Sequence, residues 1–332
     1  MASKAFATLA NGAKMPLLGY GTWQARAGEM EGPLENALQA GYRHIDTAAA
    51  YGNEDVIGKL IQENWLAPGK LKREDLFIVT KLPPSGVKPG GPEKCLKKSL
   101  EKLRMNYVDM YLIHMPCNVK VWGPDESTLS PEGKIVVEED TDHIAVWKEM
   151  EALVDAGLAK NIGLSNFNKR QIQNILDICR IKPANLQVEL HMYMQQRPLV
   201  DFCHKNGIAV TAYSPIGSPG TDALINGKLG GNITIPDLLR NPVVLELANK
   251  YKKSAGQILL KHIVDRGIVA IPKSLSKERI QQNINIFDFK MDAADTKKLD
   301  ALDKGKDGRI FDFSFFQGFT KSHPKYPFNE YP

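Results

Sequence analysis

The chain alternates short, continuous apolar runs with longer segments in which apolar residues recur every three or four positions. The first pattern is typical of strands buried on both faces, and the second of helices with one buried face. The apolar runs predict strands at 42–45, 76–80, 107–113, 160–164, 185–189, 208–212 and 268–271. The other segments predict helices at 29–40, 53–66, 92–105, 141–156, 169–179 and 198–205, two between 240 and 268, and one each from Lys277 and Ala293. The chain is therefore a series of strand–helix units.

The N-terminal part supplies one more strand. Asn11-Gly12 lies between two apolar stretches and predicts a small hairpin over about 6–18. Its second arm continues into the glycine-rich segment 19–23, which makes this the first of eight strands. Eight strand–helix units in 332 residues imply parallel strands with right-handed crossovers. This favours an α/β fold of the (β/α)8 TIM barrel type over an open sheet, whose GxGxxG fingerprint is absent.

Three segments lack a regular pattern. Two are long excursions at 117–140 and 217–240, and the third is an irregular aromatic tail beyond Gly305. Loops of this length are usually functional, and all three are expected to reach over the mouth of the barrel. We therefore expect one domain over 1–332, with a C-terminal substrate loop over about 305–332.

Composition excludes several classes of function. The net charge is +5, with basic residues dispersed along the chain, which argues against nucleic acid as a partner. The N-terminus has no signal-peptide core, and no apolar run is long enough to cross a membrane. The four cysteines show neither a CxxC motif nor metal-ligand spacing, so we expect reduced thiols, no metal site and a cytoplasmic protein.

A polar or aromatic residue stands at the exit of each predicted strand. In a barrel all these exits open on one face, where such enzymes keep their chemistry. The exits are Trp23, Asp46, Lys81, His114, Ser165-Asn166, Gln187, Tyr213-Ser214 and Lys273-Ser274. Tyr51 follows Asp46 within a loop of small residues. An Asp, a Lys, a His and a Tyr on one rim predict an active site.

These four side chains suit proton donation to a carbonyl. A free phenol has a pKa of about 10, and a nearby Lys81 ammonium is expected to lower the pKa of Tyr51. Asp46 can hold Lys81 charged and oriented, and a neutral His114 can donate an N–H to a substrate oxygen. Since no Ser or Cys nucleophile is paired with a base, the remaining chemistry is carbonyl reduction with electrons from a cofactor.

The second half of the chain predicts where this cofactor binds. Segment 214–218 offers backbone N–H groups and hydroxyls that suit a diphosphate. Segment 273–279 opens a helix with a lysine, serines and an arginine, which suits a terminal ribose phosphate and hence NADP rather than NAD. Tyr213 is placed to stack on a nicotinamide ring. Taken alone, segment 273–279 fits a capped helix with solvated charges equally well.

The chain resembles the aldo-keto reductase family over nearly its whole length. The matching stretches are GYRHIDTAAAYGNEDVIG, IVTK, YLIHMP, IGLSNFN, NLQVEL, AYSPIGSP and IPKSLSKERIQQN, in this order. The resemblance implies a catalytic tetrad of Asp46, Tyr51, Lys81 and His114, with Tyr51 as the general acid. It assigns cofactor binding to Gly21, Thr22, Trp23, Asp46, Ser165, Asn166, Gln187, Tyr213, Ser214, Ile216, Ser218, Lys273, Ser274, Ser276, Arg279, Gln282 and Asn283. It also implies a monomer that uses NADPH/NADP+ and small-molecule carbonyl substrates.

Aromatic residues predict the character of the substrate pocket. Trp23, Trp122 and tail phenylalanines such as Phe311 would line an apolar pocket that ends at Tyr51 and His114. Such a pocket favours bulky apolar carbonyls over free sugars, whose hydroxyls would lose hydration. Alternatively, the tail aromatics pack on the barrel wall. The sequence looks most like insect-type members of the family, which adds ecdysteroid ketones to the candidate substrates.

Two other functions fit the same pattern. Non-catalytic NADP-binding barrels, such as channel subunits and lens crystallins, share this fold, although the tetrad here is complete. A Schiff-base aldolase would use Lys81 as its nucleophile. That function would make less use of the phosphate pocket after the eighth strand and of the nearby phenol.

Overall fold

The computed structural model describes residues 5–25, 28–123, 127–138, 141–228, 233–313 and 316–329. Parts of the two predicted excursions and of the aromatic tail, including Phe315, lie outside these residues. The strands are β1 (Phe6–Thr8), β2 (Lys14–Pro16), β3 (Tyr20–Gly21), β4 (His44–Asp46), β5 (Phe77–Leu82), β6 (Met110–Ile113), β7 (Asn118–Val119), β8 (Val137–Glu138), β9 (Ile162–Ser165), β10 (Asn185–Glu189), β11 (Ala209–Tyr213) and β12 (Val269–Ala270).

Helices follow most of the barrel strands and cover the sheet from outside. They are α1 (Glu31–Ala40), α2 (Glu54–Ile61), α3 (Gly91–Leu103), α4 (His143–Asp155), α5 (Lys169–Leu176), α6 (Arg197–Lys205), α7 (Asp222–Lys228), α8 (Pro242–Tyr251), α9 (Ala255–Val264), α10 (Lys277–Ile284) and α11 (Ala293–Asp300). None of the helices formed by the described residues is long and apolar enough to span a bilayer.

Eight parallel strands form one sheet, which closes on itself. Their order is β3-β4-β5-β6-β9-β10-β11-β12, so each strand pairs with the next barrel strand along the chain. At the seam, the Gly19 amide donates to the Ala270 carbonyl at 2.9 Å and the Ala270 amide donates to the Leu17 carbonyl at 2.8 Å. A Cβ at Gly21 would lie 2.6 Å from the Ile271 oxygen, so a glycine is required at this seam. The predicted (β/α)8 barrel is confirmed.

The predicted hairpin is also confirmed, and it packs against the inner side of the barrel strands. β1 pairs antiparallel with β2, and the buried side chains Leu9 and Met15 join Phe77 and Met110 in one apolar cluster. A second, larger cluster lies between the strands and the surrounding helices. The barrel is therefore filled from within and covered from outside, which leaves the carboxyl ends of the strands to form a site.

Two sequence-based expectations need correction. The predicted helix 53–66 is α-helical only to Ile61 and continues as a π-helix over Gln62–Leu66. The predicted strand 185–189 is confirmed, but this places Gln187 inside the strand and not at its exit. The strand continues past this polar residue because the Gln187 side chain is hydrogen bonded within the barrel.

The two excursions, for which the sequence predicted no regular pattern, contain some secondary structure. β7 and β8 form a two-stranded antiparallel ribbon inside the first excursion, and α7 lies in the second. Beyond a 3-10 turn at Gly305–Gly308, the described tail has neither helix nor strand, as predicted. Its aromatics divide into two groups: Phe311, Phe313 and Phe316 line a cavity, whereas Phe319 and Tyr326 are buried against Val119 and Val137. The tail aromatics therefore divide between the cavity wall and the β7–β8 ribbon, and a role in substrate binding stays a prediction.

Buried histidines are expected to make the fold sensitive to acid. Burial lowers the pKa of His44 to about 4, against an unfolded value of about 6.5. Because the folded pKa is the lower one, this stabilisation is complete above about pH 6.5 and is lost as the pH falls towards 4. We expect urea denaturation to show a free energy of unfolding that falls between pH 6.5 and 4.5. In His44→Gln the fall should be shallower by about 1.4 kcal/mol per pH unit, and an unchanged slope would contradict this account.

Candidate active site

Lys81 is the centre of a buried polar group at the mouth of the barrel. Its side chain is completely buried, and its Nζ donates to Asp46 Oδ1 at 2.6 Å and to the Thr47 carbonyl at 2.8 Å. The second oxygen of Asp46 accepts from Gln187 Nε2 at 2.8 Å. Burial lowers the pKa of Lys81, while the Asp46 carboxylate acts in the opposite direction. The predicted pairing of Asp46 with Lys81 is therefore present, and Gln187 completes it.

Tyr51 reaches this group through its hydroxyl, which lies 3.4 Å from Lys81 Nζ. Burial raises the pKa of Tyr51 well above its usual range, and the Asp46 charge adds to this effect. The expectation that Lys81 would lower this pKa is therefore wrong for this structure. The physical reason is that burial of the phenol outweighs the effect of the lysine charge, which Asp46 at 2.6 Å already balances. The phenol therefore stays protonated at neutral pH.

His114 lies beside Tyr51, with the two ring centroids 5.7 Å apart in an edge-to-face arrangement. Burial lowers the pKa of His114 to about 3, and the Lys81 charge contributes to the shift. The imidazole is therefore neutral at physiological pH, as predicted. Its buried Nδ1 has no hydrogen-bond partner among the described residues. A buried polar atom of this kind is normally satisfied by a ligand or by solvent.

A cavity of about 1050 Å³ opens at the carboxyl ends of the strands. It extends from Tyr51 and His114 to the start of α10, and it gathers residues from seven strand exits or their loops, together with Gln187 from within β10. The predicted site residues that line it are Gly21, Thr22, Trp23, Asp46, Tyr51, His114, Ser165, Asn166, Gln187, Tyr213, Ser214, Ile216, Ser218, Lys273, Ser274, Arg279, Gln282, Asn283 and Phe311. Lys81 is buried behind Tyr51 and does not line it.

Two further predicted site residues do not line the cavity. The Ser276 hydroxyl accepts from the Arg279 amide at 3.3 Å and so caps α10, which is the structural role that the sequence left open. Trp122 lies in the first excursion, where the Lys120 ammonium is 4.3 Å from its ring centroid. Trp122 does not line the cavity, although Val119, Thr128 and Ile135 of the same excursion do, so its place in a substrate pocket stays a prediction.

The backbone around the cavity is held in an unusual conformation. Non-glycine residues with φ between 47° and 62° cluster along its wall. They are Gln24, Asn166, Ser214, Ser218 and Phe313. Such conformations are uncommon for side chains other than glycine, and they concentrate at functional sites. The strain supports a binding role for this wall.

Side-chain hydrogen bonds fix this wall in place. Tyr213 Oη donates to Asn166 Oδ1 at 2.8 Å, and Asn166 Nδ2 donates to the His114 carbonyl at 3.0 Å. On the opposite loop, Ser218 Oγ donates to Ser214 Oγ at 2.7 Å. The polar groups facing the cavity are therefore preorganised for a ligand with several hydrogen-bonding groups.

A pair of cations lies at the far end of the cavity, where α10 begins. Arg279 Nε donates to Ser274 Oγ at 3.4 Å, and Lys273 is half-buried nearby. Within the described part of the chain, no carboxylate forms an ion pair with Lys273 or Arg279. Burial and the Arg279 charge lower the pKa of Lys273, while Glu29 acts against this shift. Two like charges at a helix N-terminus suit an anion such as a phosphate.

Some lining residues were missed by the sequence analysis. Met115 and Ile135 add to the apolar wall, and the start of α9 adds Ser254, Ala255 and Gly256. The apolar pair gave no signal because single apolar residues in loops are common. The Ser-Ala-Gly run at a helix start was a usable signal, since small residues there let a ligand approach the backbone N–H groups closely.

Comparisons with known proteins agree with this geometry. The sequence model of the Aldo/keto reductase family matches residues 17–304. The chain is 42% identical to aldo-keto reductase family 1 member A1 of Gallus gallus over 330 residues, which cover 98% of each chain. It is 41% identical to the protein of the same name from Homo sapiens, with 97% of each chain covered. The solved structure of an aldose reductase from Schistosoma japonicum superposes with a TM-score of 0.85 at 39% identity, covering 98% of this chain and 99% of that one.

Proposed function

The chain belongs to the aldo/keto reductase family, and from this premise we propose a role for each part of its site. As a member, it is an NADPH-dependent oxidoreductase that reduces carbonyl compounds. We propose that Tyr51 is the proton donor. The observation that supports this role best is the buried chain from Asp46 through Lys81 to the Tyr51 hydroxyl, which opens on the cavity beside His114.

The proposed mechanism assigns one task to each side chain. NADPH, when bound, supplies the hydride that reduces the carbonyl carbon. Tyr51 gives its phenolic proton to the carbonyl oxygen, and the Lys81 ammonium 3.4 Å away stabilises the phenolate that remains. Asp46 keeps Lys81 charged and in position. Neutral His114 donates a ring N–H to the same oxygen and orients it for attack.

We propose that the remaining cavity residues bind the cofactor. Lys273 and Arg279 would hold the terminal ribose phosphate, because they are cations without a carboxylate partner among the described residues. The strained segment around Ser214 and Ser218 would hold the diphosphate. The other proposed cofactor contacts are Gly21, Thr22, Trp23, Asp46, Ser165, Asn166, Gln187, Tyr213, Ile216, Ser274, Gln282 and Asn283. Ser276 caps α10 by accepting from the Arg279 amide, and we propose that it keeps the phosphate pocket in place in this way.

An aldolase function that uses Lys81 as a nucleophile is poorly supported. Lys81 Nζ is fully buried and already donates to a carboxylate and a carbonyl, so a substrate carbonyl has no access to it. Borohydride trapping with substrate in the absence of NADPH tests this point. A covalent adduct on Lys81 would favour the aldolase.

Lys81→Met is expected to lower kcat by about 100-fold, because the phenolate left on Tyr51 loses its neighbouring charge. NADPH affinity should change little, since Lys81 does not line the cavity. Steady-state kinetics with a small aldehyde and fluorescence titration with NADPH measure the two effects. Asp46→Asn, which keeps the ammonium, should cost less in kcat. If Asp46→Asn reduced kcat more than Lys81→Met, Asp46 would have a direct role that this mechanism does not give it.

We propose that the substrate is a bulky apolar carbonyl compound, with steroid-like ecdysteroid ketones as candidates. Near Tyr51 and His114 the cavity wall is apolar: Trp23 and Phe311 meet edge to face with centroids 5.7 Å apart. Further lining comes from Met115, Ile135, Phe313 and Phe316. A wall of this kind stabilises an apolar ring system through burial of its surface.

Phe311→Ala is expected to raise KM for a bulky apolar ketone by about tenfold, since fully burying a large apolar side chain is worth about 1.5–3 kcal/mol. KM for a small aldehyde should hardly change. The ratio of the two KM values is the measurement. Tyr326→Leu is the control, because this buried tail aromatic does not line the cavity and should alter stability but not the ratio. An unchanged ratio in Phe311→Ala would contradict the apolar-pocket proposal.

We also propose that the chain works as a single-domain cytoplasmic monomer. Support comes from the site, whose lining residues all belong to one barrel, and from the four cysteines, which are free thiols. Light scattering after size-exclusion chromatography should give a mass near 36.9 kDa. A larger mass at micromolar concentration would refute the monomer.

A further inference from the structure

Glu189, the last residue of β10, carries a completely buried carboxylate. Its Oε1 accepts from the Ile310 amide at 2.7 Å and from His191 Nε2 at 2.9 Å. Its Oε2 accepts from the Phe311 amide at 2.8 Å. Hydrogen bonds to a buried carboxylate are stronger than neutral ones, so this is a firm attachment between the barrel and the start of the irregular tail.

This attachment holds the backbone of Phe311, whose side chain forms part of the cavity wall. The Phe311 side chain is almost completely buried and packs edge to face against Trp23 and Tyr213, with centroids 5.7 Å and 6.1 Å apart. Glu189 also pairs with Tyr213 in the register of β10 and β11. The carboxylate therefore connects the end of β10, which pairs with the strand that carries Tyr213, to the backbone that carries Phe311.

The tail backbone depends on such attachments for its path. A Cβ at Gly308 would lie 1.8 Å from the Tyr193 carbonyl oxygen, so the chain enters the tail through a tight contact with the barrel loop. Phe313 then adopts φ 57°, a conformation that an aromatic residue disfavours. Since the local sequence does not favour this path and the described tail forms no helix or strand of its own beyond Gly308, contacts with the rest of the chain hold it in place.

We propose that Glu189 is a positioning residue for substrate specificity. It acts through the Ile310 and Phe311 amides to hold the Phe311 ring in the cavity wall, and so it sets the affinity for bulky apolar carbonyls. This inference rests on the proposed function of the same cavity. Proton donation by Tyr51 does not involve Glu189, so catalysis of a small substrate should not depend on it.

The test begins with Glu189→Gln. In this variant the side-chain amide nitrogen would face a backbone N–H. One hydrogen bond to the tail is then lost, and two donors point at each other. We expect KM for a bulky apolar ketone to rise about tenfold, with kcat, KM for a small aldehyde and NADPH affinity unchanged. Hydrogen exchange at the amides of Ile310 and Phe311 should become faster. Glu189→Asp keeps the charge but withdraws the oxygens, and it should act in the same direction.

Glu151→Gln is the matched control. Glu151 Oε1 also accepts from two consecutive backbone amides, those of Arg180 at 2.7 Å and Ile181 at 2.8 Å, and none of the three residues lines the cavity. This variant should lose stability in the same way but keep the wild-type ratio of the two KM values. If it shifted the ratio as much as Glu189→Gln, the effect would come from general destabilisation and the proposal would be overturned.

Phe311→Ala separates this inference from the proposed function. If Phe311→Ala changes the KM ratio but both Glu189 variants leave it unchanged, Glu189 is structural only and the apolar pocket stands. If Phe311→Ala leaves the ratio unchanged, the apolar pocket fails, and with it the specificity role of Glu189. Should neither Glu189 variant fold, hydrogen exchange on the wild type decides: Ile310 and Phe311 amides that exchange as fast as those of an unstructured peptide would overturn the attachment, and slow exchange supports it.

Discussion

Replacing Tyr51 with phenylalanine is expected to lower kcat by about 10²–10⁴-fold, the usual contribution of a general acid. The substitution removes only the hydroxyl that lies 3.4 Å from Lys81 Nζ, and it keeps the ring that packs against His114. NADPH affinity should therefore stay close to that of the wild type. Single-turnover oxidation of NADPH with a small aldehyde measures the chemical step, and fluorescence titration measures the affinity.

Tyr107→Phe is the matched control for this experiment. Tyr107 is a half-buried tyrosine outside the cavity whose ring lies between Arg73 and Lys160. It should retain full activity. A Tyr51→Phe enzyme with near wild-type kcat would show that the proton comes from another group, and His114 would be the first to examine.

The double substitution of Lys273 and Arg279 by alanine is expected to weaken NADPH binding by about 100-fold or more. Each hydrogen bond to a charged phosphate is worth about 1.5–3 kcal/mol. NADH lacks the terminal ribose phosphate, so its affinity should change much less. Fluorescence titration with both nucleotides measures the difference, and added salt should reduce it.

Lys277→Ala provides the control for net charge. Lys277 is an exposed cation at the start of α10, beside the proposed phosphate site but not part of the cavity lining. Its removal should leave the preference for NADPH nearly intact. Equal losses for NADH and NADPH in the double variant would show that Lys273 and Arg279 do not recognise the phosphate.

The fold was predictable because parallel strands buried on both faces leave continuous apolar runs in the sequence. The run at 76–80 marked the strand, although β5 continues to Leu82 and so contains Lys81, which was predicted at its exit. The π-helical turn at Gln62–Leu66 left no comparable signal, since its apolar spacing hardly differs from that of an α-helix. Closure of the barrel followed from the number of strand–helix units and not from any single residue.

Site residues at the ends of strands could be predicted from the sequence. Properties that depend on burial or on contacts between distant residues could not. Asp46, Lys81 and His114 could be grouped because all strand exits share one face. The direction of the Tyr51 pKa shift could not be predicted, because it depends on how completely the folded chain buries the phenol and on the nearby Asp46 charge. Glu189 gave no signal at all, since the amides that explain its burial are 121 and 122 residues further along the chain.

The seam between β3 and β12 affects how the protein is made. The barrel cannot close until Leu18 pairs with Ala270, and pairings between distant parts of a chain form slowly. A ribosome delivers Trp23 well before Lys273 and Arg279. A nascent chain that has not reached Lys273 therefore lacks the proposed phosphate site, so NADPH cannot stabilise it through that site. The edge of β3 stays unpaired until Ala270 has been made, and an unpaired strand edge exposes a chain to wrong pairing during that interval.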